Sequence, residues 1–236
     1  MTLLILPNLL GEVENPHLIL PPAVFQAAAR ITGLFAESEK GARKFIRLIG
    51  ASQSLPIILI NEHSKPQDVK EALSELSKGG IWGLISDAGL PLIADPGSSL
   101  VFGARKAGIA IEATMGPSAI LLSLLLTGFP ANRFSFHGYL PIEEPLRQKA
   151  LIALELKSQR EGSTEVFIET PYRNDAMIES ALKALQPSTW LATVANITLP
   201  NQSVNCMKVE EWRKKRPSLH KVPATFLIYA KTIVDV

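Results

Sequence analysis

Short apolar segments alternate with helix-forming segments along the first half of the chain, and this alternation constrains the fold most. Strand-like apolar runs occur at 3–7, 57–60, 81–86 and 109–113. Segments with helical spacing occur between them, at 21–35, 42–50, 64–80 and 98–108. The pattern favours a mostly parallel sheet wrapped by helices, because parallel neighbours need crossover connections that helices supply.

The same kind of pattern continues in the second half. Helical segments are predicted at 143–159 and 174–185, and strands at 165–170, 190–197 and 224–231. A chain of 236 residues with 47% apolar and 19% charged residues suits one large or two small domains. With no internal repeat or low-complexity linker, we expect an α/β protein of two lobes, 1–115 and 116–236, joined near 115–120.

Local signals predict several helix ends. Ser64 and Gln67 have the spacing of a capping box, and Gly79–Gly80 would end that helix. The segment "AILLSLLL" at 119–126 predicts a buried helix. It is far shorter than the roughly 20 residues that span a bilayer.

The composition says more about the cellular compartment of the protein than about its binding partner. Cys206 is the only cysteine, so an intrachain disulfide is excluded, which is compatible with a reducing environment. The segment "MTLLILPNLL" has no basic region typical of a signal peptide. We therefore expect a soluble cytoplasmic protein. A net charge of +2 argues neither for nor against nucleic acid.

The loop "GLISDAGLPLIADPGSS" at 83–99 is longer and stiffer than a connection of two to six residues. It follows a predicted buried strand. In open α/β sheets, ligands bind beyond the carboxyl ends of the strands. Four loops are predicted at such an edge, lining one shared cleft: from Pro7 onward, Ser86–Gly97, Met115–Ala119 and Glu169–Asn174.

Motifs for several common ligands are missing from the sequence. There is no phosphate-binding G-x-x-x-x-G-K-[ST] loop, and "GGIWG" at 79–83 precedes a strand instead of following one. The four histidines are scattered, no C-x-x-C pair occurs, and G-x-S-x-G is absent. What remains favours a ligand without phosphates that is bound through main-chain groups. S-adenosylmethionine (SAM), with its sulfonium, fits that description.

Structural roles compete with binding roles at each candidate. Asp95 precedes Pro96 and has the position of an N-cap for the following helix, and Ser118 could cap the next one. Asp87 has no helix directly after it. The basic run at 212–216 is typical of a solvated face, and Tyr172 could serve a turn.

The segment "SDAGLPLIADPG" at 86–97 resembles the loop S-D-A-G-T-P-L-I-S-D-P-G of the ribosomal RNA small subunit methyltransferase I family, within the tetrapyrrole methylase superfamily. We call it the signature loop. Further similar segments lie at 116–120, 133–141, 167–174, 195–200 and 223–229. The resemblance therefore covers nearly the whole chain.

The resemblance implies two α/β lobes, SAM between them, and a homodimer without a metal. It also implies a set of cofactor-binding residues that act mostly through main chain. They are Pro7, Ser86, Asp87, Ala88, Gly89, Leu90, Met115, Ser118, Ala119, Thr170, Tyr172, Ala195, Ala224 and Thr225. The chain departs from the family at "LPNLLGE" (6–12) and at "AESEKGA" (36–42), where only Glu37 matches A-E-D-T-R-H-T. The cofactor half of the site transfers to this chain better than the acceptor half.

These observations lead to a SAM-dependent methyltransferase of RNA, with ribosomal RNA and the small ribosomal subunit as expected partners. The family resemblance implies methylation of a ribose 2′-hydroxyl, for which a general base helps, and Glu37 and Glu169 are the candidates. A basic rim for RNA is predicted from Arg43, Lys44, Arg47, Arg147 and Lys149. Two alternatives stay open: a tetrapyrrole or other small-molecule acceptor, and a non-catalytic SAM-binding or interaction protein.

Overall fold

The computed structural model describes residues 1–232, and its contacts divide the chain into a first unit, Met1–Ser118, and a second unit, Ala119–Val236. The first unit contains five strands and four helices. The strands are β1 (Thr2–Ile5), β2 (Gly33–Ala36), β3 (Ile57–Leu59), β4 (Ile81–Ile85) and β5 (Ala110–Ala113). The helices are α1 (Pro22–Ala28), α2 (Glu39–Leu48), α3 (Pro66–Ser77) and α4 (Ser98–Lys106).

The five strands of the first unit form one fully parallel sheet in the order β3-β2-β4-β1-β5. This confirms the parallel sheet predicted from the alternation. Ile5, at the end of β1, lies opposite Leu84 of β4 and Ala113 of β5. The carboxyl ends of these strands therefore meet at one edge, from which their loops leave together.

Both faces of this sheet are buried at its central strands β2, β4 and β1, whereas the edge strand β5 is largely exposed. Successive side chains of a strand point to opposite faces, and Leu3 and Leu4 accordingly pack into two separate apolar clusters. Phe35 stacks on Trp82 in one cluster, with 4.6 Å between ring centroids. A sheet covered on both faces needs nearly continuous apolar strands, which is why these runs lack an alternating pattern.

Two local predictions for the first unit are wrong. The helix predicted over 21–35 ends at Ala28, and Gly33–Ala36 is instead the buried strand β2. The capping box does not involve Ser64 and Gln67: the Lys65 N–H donates to Asp68 Oδ2 at 2.7 Å. Ser64 Oγ instead accepts from the Asn61 N–H at 2.9 Å.

The second unit contains a mixed sheet in the order β6-β7-β10-β8-β9, in which only β6 and β7 pair in parallel. The strands are β6 (Phe134–Tyr139), β7 (Thr164–Ile168), β8 (Trp190–Ala195), β9 (Ser203–Lys208) and β10 (Ala224–Tyr229). The helices are α5 (Ala119–Thr127), α6 (Glu144–Glu161), α7 (Asn174–Ala184) and α8 (Val209–Trp212). The predicted parallel arrangement thus holds for the first sheet and not for most of the second.

The core of the second unit packs around β7 and β10. Phe167 and Phe226 stack with ring centroids 5.3 Å apart. Trp212 is fully buried, and its indole N–H donates to the Leu191 carbonyl at 2.8 Å. The predicted burial of α5 is wrong for one face, where Leu125 is 73% exposed. Within residues 1–232, no helix has the length and apolar content to cross a membrane.

Candidate functional site

Asn8 joins the loop after β1 to the signature loop. Its side-chain amide donates to the Ser86 carbonyl at 3.0 Å and to the Asp87 carbonyl at 3.3 Å. Its backbone N–H donates to the Gly89 carbonyl at 2.8 Å, and the Gly89 N–H donates back to Leu9 at 3.3 Å. Asn8 is buried, so water has little access to these hydrogen bonds and their loss would not be compensated by solvent. Sequence reasoning missed Asn8, whose one signal is a polar residue inside an apolar run.

A third loop, after β5, packs against the first two. A Cβ at Gly116 would lie 2.1 Å from the Pro7 Cβ, so only glycine allows this approach. Gly89 has a φ of 69°, and a Cβ there would lie 3.4 Å from the Pro117 carbonyl oxygen. The three first-unit loops predicted to share a sheet edge therefore lie in contact.

The predicted cofactor residues of these loops divide into buried and exposed groups. Pro7, Ser86, Gly89 and Ser118 are buried, and the Ser86 hydroxyl donates to the Ala88 carbonyl at 3.0 Å. Asp87, Ala88 and Met115 are exposed, Leu90 is half-buried, and Ala119 begins α5 in the second unit. The buried members shape the loops, whereas the exposed members are the ones a ligand can reach.

Asp87 is held by the start of α2. Ser38 is the N-cap of this helix, its Oγ accepting from the Gly41 N–H at 2.9 Å. The same hydroxyl donates to the two Asp87 carboxylate oxygens, at 2.8 and 2.9 Å. Gly41 leaves room for this contact, since a Cβ there would lie 1.9 Å from Asp87 Oδ1.

Two further carboxylates lie near Asp87 and have raised pKa values. Glu37 accepts from the Asp87 N–H at 3.3 Å; burial first, then the Asp87 charge, raises its pKa above the usual range. Burial, aided by the negative charge of Glu37, raises the pKa of Asp95 to about 6. Asp95 is not the N-cap considered from the sequence, because Gly97 occupies that position at α4.

An open cavity of about 590 Å³ adjoins Asp87 on the α2 side. Its walls come from Asn8 to Val13 and from one face of α2 that carries Lys44, Arg47 and Leu48. The Lys44 ammonium is paired with Glu12, at 3.0 Å. The cavity thus combines apolar walls with charged groups of both signs, a composition suited to a polar organic ligand.

The predicted cofactor residues of the second unit gather at one edge of its sheet. Ala195 ends β8 and pairs with Ala224 at the start of β10, and Thr225 pairs with Ile168 at the end of β7. Thr170 and Tyr172 follow β7 directly. Ala195 and Thr225 are buried, while Tyr172 is 71% exposed.

Glu169, a predicted candidate base, is tied into a local ion pair. Its Oε1 accepts from the Arg173 guanidinium, with Nε at 2.9 Å and Nη2 at 2.5 Å, and from the Thr170 N–H at 2.6 Å. Its Oε2 is buried and has no hydrogen-bond partner among residues 1–232. The carboxylate therefore fixes the turn that carries Tyr172 and keeps one oxygen uncommitted.

The predicted basic rim is only partly present. Arg147 is wrong as a rim residue: it is buried and donates to the Ser180 hydroxyl and the Ile142 carbonyl. The Arg43 guanidinium is bound to Glu39 at 2.8 Å and to the Gln53 carbonyl. Arg47 and Lys149 are exposed, as a basic rim for RNA requires.

Solved structures identify the fold. A structure of diphthine synthase covers 98% of this chain with a TM-score of 0.72 at 12% identity, and this chain covers 90% of it. A structure of the methyltransferase CobJ covers 97% of this chain with a TM-score of 0.65 at 16% identity, over 92% of its own length. The chain has the tetrapyrrole methylase fold.

Curated relatives confirm the resemblance seen in the signature loop. Ribosomal RNA small subunit methyltransferase I of Xylella fastidiosa is 33% identical over 154 residues, which are 65% of this chain and 54% of the relative. The enzyme of the same name from Escherichia coli O157:H7 is 31% identical over 168 residues, 70% of this chain and 57% of the relative. The chain spans about half the length of the curated relatives it matches. A comparison of this chain with protein-family models found no match.

Proposed function

We propose that this protein is a SAM-dependent methyltransferase that acts on RNA, with ribosomal RNA of the small subunit as its substrate class. The observation that carries the proposal is the bonding of the signature loop to Asn8, at the carboxyl edge of a parallel sheet. This is the edge where open α/β sheets bind ligands. The names of the curated relatives support the RNA acceptor.

The charges around the signature loop suit SAM. Glu37, Asp87 and Asp95 interact with one another there, so an incoming phosphate would be repelled. SAM carries no phosphate; its ammonium is balanced by its own carboxylate, and its sulfonium leaves a net positive charge that would be attracted to the same carboxylates. The exposed residues Asp87 and Ala88 are the groups of the loop best placed to meet it.

When bound, SAM supplies an already activated methyl group, so the protein mainly has to align the acceptor and exclude water. In this proposal the main chain of residues 86–90 positions the donor. Glu37 is the predicted candidate base. Burial raises the pKa of Glu37, which makes its carboxylate a stronger base toward a hydroxyl proton than an ordinary glutamate. Asp95, with a pKa of about 6, shares that property. Glu169 is the second predicted candidate.

The cytoplasmic location, the homodimer and the two lobe boundaries stay predictions. The two open alternatives also stay. The fold itself does not decide between acceptors, since one fold hosts many substrates. Ser38 and Gly41 occupy the region where the family has Asp-Thr-Arg-His-Thr, and they build the α2 cap. That departure is the observation that keeps a non-catalytic SAM-binding protein in view.

Calorimetric titration with SAM tests the cofactor half of the proposal. We expect saturable binding by the wild type, a loss of at least about tenfold for Asn8→Ala because buried hydrogen bonds to the loop are removed, and a clear loss for Asp87→Ala. Asn201→Ala, an exposed asparagine in the second unit, is the matched control and should bind like the wild type. Absence of binding by a folded wild type would contradict the proposal.

Transfer of a labelled methyl group tests the acceptor half. The protein is incubated with methyl-labelled SAM and either small ribosomal subunits or uroporphyrinogen. Label in the RNA supports the proposal. Label only in the tetrapyrrole would replace RNA with a small-molecule acceptor, and label in neither, with SAM bound, would favour the non-catalytic alternative.

A further inference from the structure

We propose that the segment Lys214–Lys221, together with Tyr172, is a surface of the second unit that binds the phosphates and bases of single-stranded RNA. This inference rests on the proposed function and names where the RNA is held. It replaces most of the predicted rim on α2 and α6, of which Arg147 is buried and Arg43 and Lys44 are already paired.

The cations of this segment form no ion pair with any carboxylate of the described residues. Lys214, Lys215, Arg216 and Lys221 are all exposed. No carboxylate among residues 1–232 lies within ion-pairing distance of any of them. Several other cations do have such partners: Arg30, Arg43, Lys44, Lys78, Arg160 and Lys183. Exposed cations such as Lys70, Arg105 and Lys106 have none among residues 1–232, so what distinguishes this segment is the number of unpaired cations in a short stretch of chain. Unpaired basic groups clustered on one face are the electrostatic signature of phosphate binding.

The neighbouring acidic groups form no ion pair with these cations among residues 1–232. Asp175 is occupied by the Ser218 hydroxyl at 2.9 Å and the Leu219 N–H at 2.8 Å. Glu179 borders a small depression with Arg216 without pairing with it. Glu210 and Glu211 lie on α8, before the basic run. Four cations therefore face solvent within eight residues, and RNA is the partner of opposite charge.

The segment is anchored at both ends. At the start, Trp212 is buried, and the Arg213 guanidinium donates to the Leu182 carbonyl at 2.8 Å. At the end, the Lys221 N–H donates to the Pro171 carbonyl at 2.9 Å. Anchoring reduces the conformational entropy that RNA binding would otherwise cost. A basic run held in this way differs from a flexible solvated tail.

An exposed aromatic ring lies beside the last of these cations. The Lys221 ammonium is 5.9 Å from the centroid of the Tyr172 ring, and the His220 ring meets it edge-on at 6.4 Å. Proteins that bind single-stranded nucleic acid combine cations along the backbone path with aromatic rings on which bases stack. Tyr172 also belongs to the predicted cofactor turn, so RNA held here would lie beside a cofactor-binding element.

The test compares two triple variants with the same loss of charge. The loop variant is Lys214→Gln, Lys215→Gln and Arg216→Gln. The control variant is Lys70→Gln, Arg105→Gln and Lys106→Gln, three exposed cations of the first unit. Each protein is titrated with naked small-subunit ribosomal RNA and, separately, with intact small subunits between 50 and 200 mM salt, and with SAM by calorimetry. Circular dichroism verifies that both variants fold.

We expect the loop variant to bind the RNA at least about tenfold more weakly at low salt. Its slope of log affinity against log salt should become shallower by about 2, because each of the three removed cations contributes about 0.7 to the steepness of the slope on a single strand. The control should keep the wild-type slope, and all three proteins should bind SAM equally.

Four results would count against the inference or against the proposed function. Equal RNA binding by the loop variant and the wild type would refute it and leave the proposed function intact. A defect seen with intact subunits but not with naked RNA would assign the segment to a ribosomal protein instead. If the wild type binds SAM and no RNA, the inference and the RNA acceptor both fail. If the wild type binds neither RNA nor SAM, the proposed function itself is refuted.

Discussion

The contact between Gly41 and Asp87 allows a quantitative prediction about the Gly41→Ala variant. A Cβ at residue 41 would lie 1.9 Å from Asp87 Oδ1 and 3.0 Å from Ser38 Oγ. To reach an acceptable distance, the carboxylate must move by more than about 1 Å. The bonds from Ser38 to Asp87, now 2.8 and 2.9 Å, would then exceed hydrogen-bonding range.

The energies of this substitution oppose each other. Loss of a hydrogen bond to a charged group costs about 1–2 kcal/mol here, near the lower end of the usual range because Asp87 is exposed. Alanine gains about 0.5–1 kcal/mol over glycine within a helix. We therefore expect Gly41→Ala to lower the free energy of unfolding by about 1 kcal/mol or less.

The double-mutant cycle with Asp87→Ala makes the prediction decisive. Without the carboxylate, the close contact that remains is the 3.0 Å approach to the Ser38 hydroxyl, which then has no bond to Asp87 to keep. Gly41→Ala should therefore stabilise the Asp87→Ala protein by up to about 1 kcal/mol. Urea unfolding followed by circular dichroism gives the four free energies. SAM titration should show that Gly41→Ala weakens binding to nearly the level of Asp87→Ala. Equal stabilisation by Gly41→Ala in both backgrounds would refute the reasoning, since it would mean that the two residues do not contact.

Three further predictions concern titration and packing. The pKa of Asp95 is about 6 in the folded protein against an ordinary 3.8, so the fold loses stability as pH rises from about 4 to 6. Asp95→Asn should therefore raise the free energy of unfolding by about 1–2 kcal/mol at pH 8 and by almost nothing at pH 4. A difference that does not depend on pH would contradict this. Gly33→Ala should destabilise the fold by about 1–3 kcal/mol or prevent folding, because its Cβ would lie 2.6 Å from the buried Trp82 ring. Gly103→Ala is the control: its Cβ would meet the flexible side chain of Leu73, so it should lower the free energy of unfolding by less. Burial raises the pKa of the Cys206 thiol to about 11, so at pH 8 the native protein should react with a disulfide reagent about 100-fold more slowly than the unfolded chain; equal rates would show that the thiol is not buried.

The sequence predicted the elements that carry strong local signals. The alternation in the first half predicts the parallel sheet, and Gly50, with a φ of 68°, ends α2 where expected. The strand β2 was missed because Leu34, Phe35 and Ala36 are apolar like the alanine-rich helix before them, and the break signal between the two, Gly33, is a single residue. The strand β9 was missed because Ser203–Lys208 is polar for a strand, and it pairs at a sheet edge.

The candidate site was predictable in its loops and not in its supports. The signature loop is visible as a local pattern, whereas Asn8 and Ser38 act on residues about 78 and 49 positions away. Arg147 was expected on the surface because arginine usually is, yet its neighbours Ser180 and Ile142 give it buried acceptors. Such partners follow from tertiary contacts, which spacing along one element does not reveal.

The place of β10 in the second sheet has a consequence for synthesis. β10 is the last strand among residues 1–232, yet it lies at the centre of the sheet, between β7 and β8. The second sheet therefore cannot close until residue 229 has left the ribosome, whereas the first unit needs only residues up to 118. During translation, β7 and β8 must wait with unpaired edges, and nascent chains arrested before β10 should be open to proteases and chaperones in their second half only.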